Sequence, residues 1–274
     1  METQRLDLFL VENGYFETRE KSRFAILKGA VLVNKKLIQK PGTFIKSHHS
    51  ISIIEDEVNP FISIAGLKLK KAIVAFNLDF NQKFVLDIGD SSCGFADCAL
   101  QNGAKGVISI DNKNVSIDSP LLINSKLANI NNIEFKELKL EDINSQILDF
   151  IVVDLNLISL TTLMNQFASL MDINTQLVVL IKPQFEAGKE QLGNDGIVKN
   201  PKTHEKIIKV VEKSANMNGL AFTKLTYSPI FEVKKNIEYL ALISKRPQIQ
   251  SIFALNIIKE AFEFQKNLKK NDLV

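Results

Sequence analysis

The sequence predicts an α/β protein, a doubly wound and mostly parallel sheet preceded by a smaller α+β module, and three observations carry that prediction. Apolar runs of strand length alternate with amphipathic stretches of helical period from residue 67 to residue 243. Two of those runs end in a lone polar residue, Asp154 and Lys182, at the carboxyl rim where open parallel sheets bind ligands. The first fifty residues are of another kind. They hold nine Lys or Arg against five Asp or Glu, a local +4 that exceeds the +3 of the whole chain and fits either a polyanion partner or a solvated charged face.

A chain of 274 residues can bury a full sheet core and still carry a small second domain. The division is expected near the acidic stretch Glu55 to Pro60, giving a module over 1–58, a linker over 59–65, a main domain over 66–246 and a helical extension over 247–274. In the first module, helices are expected over Arg5 to Asn13 and Thr18 to Leu27, the latter with Thr18 as N-cap and Gly29 as stop. A hairpin follows, Val31 to Asn34 and Leu37 to Gln39 around a Lys35-Lys36 turn, and then a strand over Ser50 to Ile54.

The main domain opens with a helix over Leu67 to Phe76. Strands are expected over Lys83 to Ile88, Gly106 to Ile110, Ile133 to Leu138, Phe150 to Val153 and Leu177 to Ile181. Helices fall between them at Gly94 to Gln101, Leu121 to Ala128 and Ile158 to Met171. A long helix begins at Pro201 with Asn200 as cap and Gly219 as stop, and strands over Phe222 to Tyr227 and Glu238 to Ile243 complete the sheet. Apolar residues recur at helical spacing from Ile252 to Leu268, which reads as a packing helix.

Several function classes lose ground on composition. Cys93 and Cys98 are too few for a disulfide framework or a metal quartet, and His48, His49 and His204 form no ligand cluster, so no metal is expected. No apolar run approaches the roughly 20 residues that span a bilayer, and Met1 to Glu12 mixes charged with apolar residues, unlike a signal peptide. The expectation is a soluble, reduced, cytoplasmic protein with no membrane partner.

The first strand runs into Asp87-Ile88-Gly89-Asp90-Ser91-Ser92-Cys93-Gly94-Phe95. Glycines at a strand-to-helix turn let a ligand approach the backbone, and the helix start offers free amide donors. The run matches neither G-x-G-x-x-G nor the Gly-Lys-Ser/Thr ending of a phosphate loop, which disfavours hydride transfer and nucleotide hydrolysis. Asp111, at the end of the second strand, stands where an acid accepts hydrogen bonds from ribose hydroxyls, as in both NAD-binding and S-adenosylmethionine-binding folds.

These segments resemble a known family. Asp87 to Phe95 resembles the cofactor loop of the TlyA/FtsJ-like ribose methyltransferases, and Asp154-Leu155-Asn156-Leu157-Ile158-Ser159-Leu160 resembles their fourth motif. Lys182-Pro183-Gln184-Phe185-Glu186 is similar to the segment that follows it, and Gly196-Ile197-Val198 before Pro201 to the next loop. The N-terminal segment, through Arg5-Leu6-Asp7, Thr18-Arg19-Glu20, Val33-Asn34 and Lys40-Pro41-Gly42, resembles the RNA-binding module shared with ribosomal protein S-four. The resemblance spans about residue 3 to residue 245, and this order of modules is that of the TlyA family, which also carries an old hemolysin label.

The resemblance implies a Rossmann-like methyltransferase sheet with S-adenosylmethionine as cofactor and ribosomal RNA or ribosomal subunits as partner. The implied reaction is methyl transfer to a ribose 2′-hydroxyl, of a cytidine. It implies a Lys-Asp-Lys-Glu tetrad at Lys68, Asp154, Lys182 and Glu238, through Gly66-Leu67-Lys68-Leu69, the two strand-end motifs and Asn236-Ile237-Glu238-Tyr239. It implies cofactor contacts at Asp87, Gly89, Ser91, Gly94, Asp111 and Asp154, and RNA contacts at Arg5, Arg19, Lys21, Arg23, Lys28, Lys35 and Lys36. A ribose hydroxyl is a weak nucleophile at neutral pH and needs a positioned base, for which Lys182 is the choice. A neighbouring cation, Lys68, favours a neutral Lys182, while Asp154 and Glu238 oppose that shift and fix both amino groups. The chain departs from the family pattern at Ile64-Ala65, at Asp90, at Cys93 in place of a glycine, at Asp111-Asn112-Lys113, near residue 139 and at Glu232 to Lys235. The alternatives are a noncatalytic RNA-binding relative and, less favoured, a membrane-active hemolysin.

Overall fold

The computed structural model describes residues 3–54, 59–89, 93–111, 124–131, 133–230, 235–246 and 254–271. The chain forms two compact units, Met1–Ala65 and Gly66–Val274.

In the first unit, β1 (Thr3–Arg5) leads into α1 (Leu6–Glu12) and α2 (Arg19–Lys28), followed by β2 (Val31–Val33), β3 (Lys36–Leu37), β4 (Phe44–Lys46) and β5 (Ile51–Ile53). Thr18 caps α2, its hydroxyl accepting from the Lys21 amide at 3.2 Å, and Gly29 ends the helix in the left-handed conformation that only glycine adopts without strain. The hairpin turn is Asn34-Lys35, one residue earlier than expected. Both residues have positive φ, 50° and 65°, as a two-residue turn requires to match strand twist, and Val33 pairs with Lys36. The β1–β4 pair is too short to show a sequence period and was not expected. Leu6, Leu10, Phe16, Ala25, Ile26, Val31 and Ile45 form this unit's core.

The second unit begins with α3 (Ala65–Phe76) and β6 (Phe84–Gly89), α4 (Gly94–Gln101), β7 (Gly106–Asp111), β8 (Leu127–Asn131) and β9 (Phe150–Asp154). It continues through α5 (Met164–Leu170), β10 (Gln176–Ile181), α6 (Pro183–Glu186), α7 (Pro201–Met217), β11 (Ala221–Tyr227), β12 (Tyr239–Ser244) and α8 (Ala254–Asn271). The seven strands lie in the order β11-β12-β10-β9-β6-β7-β8, with β12 antiparallel to both neighbours and the other pairs parallel. The central strands are apolar over Phe150 to Val153 in β9 and Leu177 to Ile181 in β10 because both their faces are covered. Asn200 accepts from the Lys202 amide at 2.9 Å ahead of Pro201, which fixes the start of α7.

Three expected elements are corrected. Ile133 to Leu138 is not a strand. Phe135–Glu137 forms a 3₁₀ turn that buries Phe135 and Leu138, and the third parallel strand is β8, in a stretch whose sequence suggests the end of a helix. Of the rest of the helix expected over Leu121 to Ala128, residues 124–126 form a turn in which the Asn124 carbonyl accepts from the Leu127 amide, and residues 121–123 lie outside the described residues. Among the described residues β8 is an edge strand, paired with β7 and half exposed, so it needs no apolar alternation. The helix expected over Ile158 to Met171 is split into a 3₁₀ turn, Leu160–Thr162, and α5, because the Ser159 hydroxyl takes the Thr161 amide.

Candidate active site

The topology brings four separated polar residues to one rim. Parallel β9 and β10 are neighbours, so Asp154 and Lys182 emerge side by side from apolar strands. β12 runs the other way, with Ile181 opposite Tyr239, so Glu238 arrives just before that strand begins, beside Lys182. The first turn of α3 supplies Lys68.

The four side chains are in contact. Lys182 Nζ lies 2.5 Å from Asp154 Oδ1, while Lys68 Nζ lies 2.8 Å from Glu238 Oε2 and 3.7 Å from Asp154 Oδ2. Side-chain exposures are 6% for Lys182, 12% for Lys68, 16% for Asp154 and 17% for Glu238. Such burial is tolerable because two lysines face two carboxylates, and removing one partner would leave a buried charge uncompensated. Burial alone would lower the Lys68 pKa, but the fields of Asp154 and Glu238 together outweigh it and hold the group above the ordinary lysine value. Burial likewise pushes Asp154 upward, and the two lysines overcome it, leaving the carboxyl below its usual range. Lys68 and Asp154 are therefore fixed charges at neutral pH.

Neighbouring residues lock this cluster, and three of them were not expected to matter. Lys182 Nζ donates to Asn156 Oδ1 at 2.7 Å. Glu186, at the end of α6, accepts from the Ser159 hydroxyl at 2.6 Å and the Leu160 amide at 2.7 Å, latching the segment after Asp154 to the segment after Lys182. Burial raises the Glu186 pKa, with the Ser159 and Leu160 bonds opposing. Third, the fully buried His204 bonds through Nε2 to the Val198 carbonyl at 2.8 Å and through Nδ1 to the Tyr239 hydroxyl at 2.9 Å. A carbonyl only accepts, so Nε2 carries the hydrogen and Tyr239 donates to Nδ1. Burial keeps this imidazole below its ordinary pKa, in keeping with a neutral ring. Asn236 accepts from the Val198 amide and donates to the Gly196 carbonyl, so Glu238 is flanked by Asn236, bonded to the loop before α7, and by Tyr239, bonded to His204 within α7. The spacings Asp-x-Asn and Lys-Pro-x-x-Glu were the available signals.

Beside the tetrad lies the β6–α4 turn, at the point where strand order departs to β7 on one side and β9 on the other. That crevice is the usual ligand position in an open α/β sheet. Asp87 is buried and its Oδ2 accepts from the Ala96 amide at 3.1 Å, so it holds the first turn of α4 against the strand. Gly89 pairs with Asp154, and a Cβ there would sit 3.6 Å from the Asp154 carbonyl oxygen. Gly94 starts α4. Cys93, which stands where the family pattern has glycine, is left-handed at φ 48°, a conformation that costs a side-chain-bearing residue roughly 1–2 kcal/mol. An open glycine edge beside a helix start suits a ligand with a carboxylate and a ribose, so S-adenosylmethionine fits these residues. Asp90 and Ser91 lie outside the described residues, as does the Asp111 side chain, although Asp111 closes β7. Among the described residues no group of His, Cys, Asp and Glu is arranged to hold a metal ion.

In the first unit, Arg5 and Arg19, from the two quoted segments Arg5-Leu6-Asp7 and Thr18-Arg19-Glu20, converge on the fully buried Asp7 at 3.0 Å each. Burial would raise the Asp7 pKa, yet the two guanidinium groups hold it below the usual range. Lys21 pairs with Glu17 at 2.7 Å, and Lys28 lies over the Phe24 ring. Arg23, Lys28, Lys35 and Lys36 are exposed, the last two at the hairpin turn.

Comparison with known proteins yields two domain matches. Residues 61–245 match the FtsJ-like methyltransferase model and residues 4–51 match the S4 domain. The chain is 34% identical over 237 residues to hemolysin A of Brachyspira hyodysenteriae, covering 86% of this chain and 98% of the relative. It is 27% identical over 235 residues to the 16S/23S rRNA (cytidine-2′-O)-methyltransferase TlyA of Mycobacterium tuberculosis, covering 86% and 87%. A solved structure described as a candidate hemolysin from Streptococcus thermophilus superposes with a TM-score of 0.75 at 33% identity, covering 98% of this chain and 99% of that one.

Proposed function

Because the chain belongs to the FtsJ-like methyltransferase family and carries an S4 domain ahead of the methyltransferase domain, we propose that it methylates a ribose 2′-hydroxyl of ribosomal RNA with S-adenosylmethionine as donor. The observation that carries the reading is the contact network of Lys68, Asp154, Lys182 and Glu238 beside the β6–α4 turn. Bound S-adenosylmethionine supplies a sulfonium methyl carbon that the ribose oxygen attacks, the sulfur keeping the bonding electrons.

The residues of this chain supply position and a proton acceptor. Asp87, Gly89, Gly94 and Asp154 line the cofactor crevice on this reading, with Asp87 acting through its hold on α4, and Ser91 and Asp111 are assigned to the cofactor by the family resemblance. Lys68 is held charged by two carboxylates, which disqualifies it as a base. Lys182 is the remaining amine, and its neutral form takes the 2′-hydroxyl proton as the oxygen–carbon bond forms. Near-complete burial of Lys182 limits solvent at that point.

Arg5, Arg19, Lys21, Arg23, Lys28, Lys35 and Lys36 present the first module to RNA phosphates. The target base is a cytidine, as in the name of the mycobacterial relative. On this reading the partners are ribosomal RNA or ribosomal subunits, met in the cytoplasm. Two relatives are named hemolysins, but no described helix is long and apolar enough to cross a membrane.

Calorimetric titration with S-adenosylmethionine and its demethylated product tests the reading. Binding of both is expected, reduced at least about tenfold by Gly89→Val, whose side chain enters the crevice edge. No binding of either at millimolar concentration would favour the noncatalytic alternative.

A further inference from the structure

We infer that Asn156 is a second positioning partner of the catalytic amine, and that with Asp154 it sets the direction in which Lys182 accepts a proton. The inference rests on the assignment of Lys182 as base. Its observation is a contact beyond the tetrad: Lys182 Nζ meets two acceptors from the end of β9 and the segment that follows it, Asp154 Oδ1 at 2.5 Å and, outside the tetrad, Asn156 Oδ1 at 2.7 Å.

A neutral lysine amine has two N–H bonds and one lone pair. Two fixed acceptors occupy the two hydrogens, so the lone pair takes the remaining tetrahedral position and cannot rotate into them. One acceptor would leave the amine free to turn about a single hydrogen bond. A base must face the proton that it removes, and an angular error of this kind is what positioning residues prevent. The transferred proton then fills the third position and completes the ammonium. The positive charge that the sulfonium gives up on becoming a thioether reappears on that ammonium, so the step balances.

The neutrality of Asn156 is the second half of the argument. Lys182 faces Asp154 directly, and Lys68 and Glu238 through the same network. Asp154 and Glu238 already balance the two lysines. A further carboxylate at position 156 would favour the ammonium and remove the base at working pH, whereas an amide oxygen supplies the same hydrogen bond without the charge. The latch from Glu186 to Ser159 and Leu160 holds the loop that carries Asn156.

The test is single-turnover methylation of ribosomal RNA by the full chain across about pH 6 to 10, for wild type, Asn156→Leu, Asn156→Asp and Lys182→Arg. Asn156→Leu, of similar shape but with no acceptor, should lose about tenfold or more in rate at every pH, with cofactor and RNA affinities within about twofold of wild type. Asn156→Asp keeps the acceptor, and should move the midpoint of the alkaline rise upward by about one pH unit while recovering most of the rate above it. Lys182→Arg should be inactive. A wild-type rate in Asn156→Leu, or an unmoved midpoint in a folded Asn156→Asp, with Lys182→Arg inactive, would overturn the role of Asn156 alone. An active Lys182→Arg would overturn the base assignment and this inference with it.

Discussion

Lys182 and Lys68 are the same residue type on one carboxylate, yet their surroundings give them different work. Lys68 touches Glu238 and Asp154, and the pair holds its charge. Lys182 touches one carboxylate and one amide, and leaves the sheet in the most buried position of the four. Replacing Lys68 with Met should therefore cost stability as well as activity, because Glu238 is left without its ion-pair partner, an effect of about 3 kcal/mol or more when a buried pair is broken. Denaturant unfolding of the variant measures it.

The same charges set a pH window. Asp154 is depressed in the folded state, so its contribution is complete above the unfolded carboxyl value near about pH 4 and is lost as pH falls through the lower folded value. Lys68 is raised, so its contribution is complete below the unfolded lysine value, roughly pH 10.4, and is lost as pH rises through the higher folded value. Melting temperatures should show the contributions of Asp154 and Lys68 flat between those limits. Asp154→Asn should weaken the acid-side dependence, and an unchanged acid slope would show that Asp154 is not one of its sources.

Among the elements, the short ones carry the site. α6 is a single turn, started by Pro183 after Lys182 and ended at Glu186, whose carboxylate fastens the loop after β9. Glu186→Ala should lower the methylation rate by about tenfold or more, and Glu186→Gln, which keeps an oxygen for the Leu160 amide, should restore much of it. Equal losses in both would show that the latch depends on charge and not on the hydrogen bond. Cys93, at the start of α4, offers a backbone test: Cys93→Gly should relieve a left-handed strain of roughly 1–2 kcal/mol while losing a small buried side chain, and Cys93→Val should lower the melting temperature clearly.

The sequence was most legible where one physical pattern dominated. β9 and β10 are apolar on both faces and end in charge, so both the strands and the rim residues Asp154 and Lys182 could be read directly. α7 carried Asn200, Pro201 and Gly219 as start and stop. β8 was not legible as a strand because an edge strand is wetted on one side and held by backbone pairing, which leaves no side-chain period. Lys68 and Glu238 were legible only through resemblance, since neither lies in a local pattern that demands a charge. Asn156, Glu186 and His204 stayed hidden because their importance is a bond made across 26 to 35 residues of sequence, or a neutral atom placed beside a charged one.

At the scale of the whole molecule, the protein joins a basic S4 module to a methyltransferase sheet, and the two are expected to divide recognition from chemistry. Affinity for ribosomal RNA should fall steeply with salt. Lys35→Gln with Lys36→Gln should reduce the slope of log affinity against log salt by about one for each phosphate that the protein no longer neutralises, while leaving S-adenosylmethionine binding unchanged. An unaltered slope, measured by filter binding, would remove the β2–β3 turn from the RNA surface.

The central claim is methyl transfer to a ribose of ribosomal RNA, and single-turnover transfer of a labelled methyl group followed by mass mapping of the nucleosides tests it most directly. The wild-type chain should produce a 2′-O-methylated nucleoside at a defined ribosomal RNA position, and Lys182→Ala, folded and still binding cofactor, should lose at least about 10²-fold in rate. A wild-type protein that binds both cofactor and RNA yet leaves every ribose unmethylated would contradict the account.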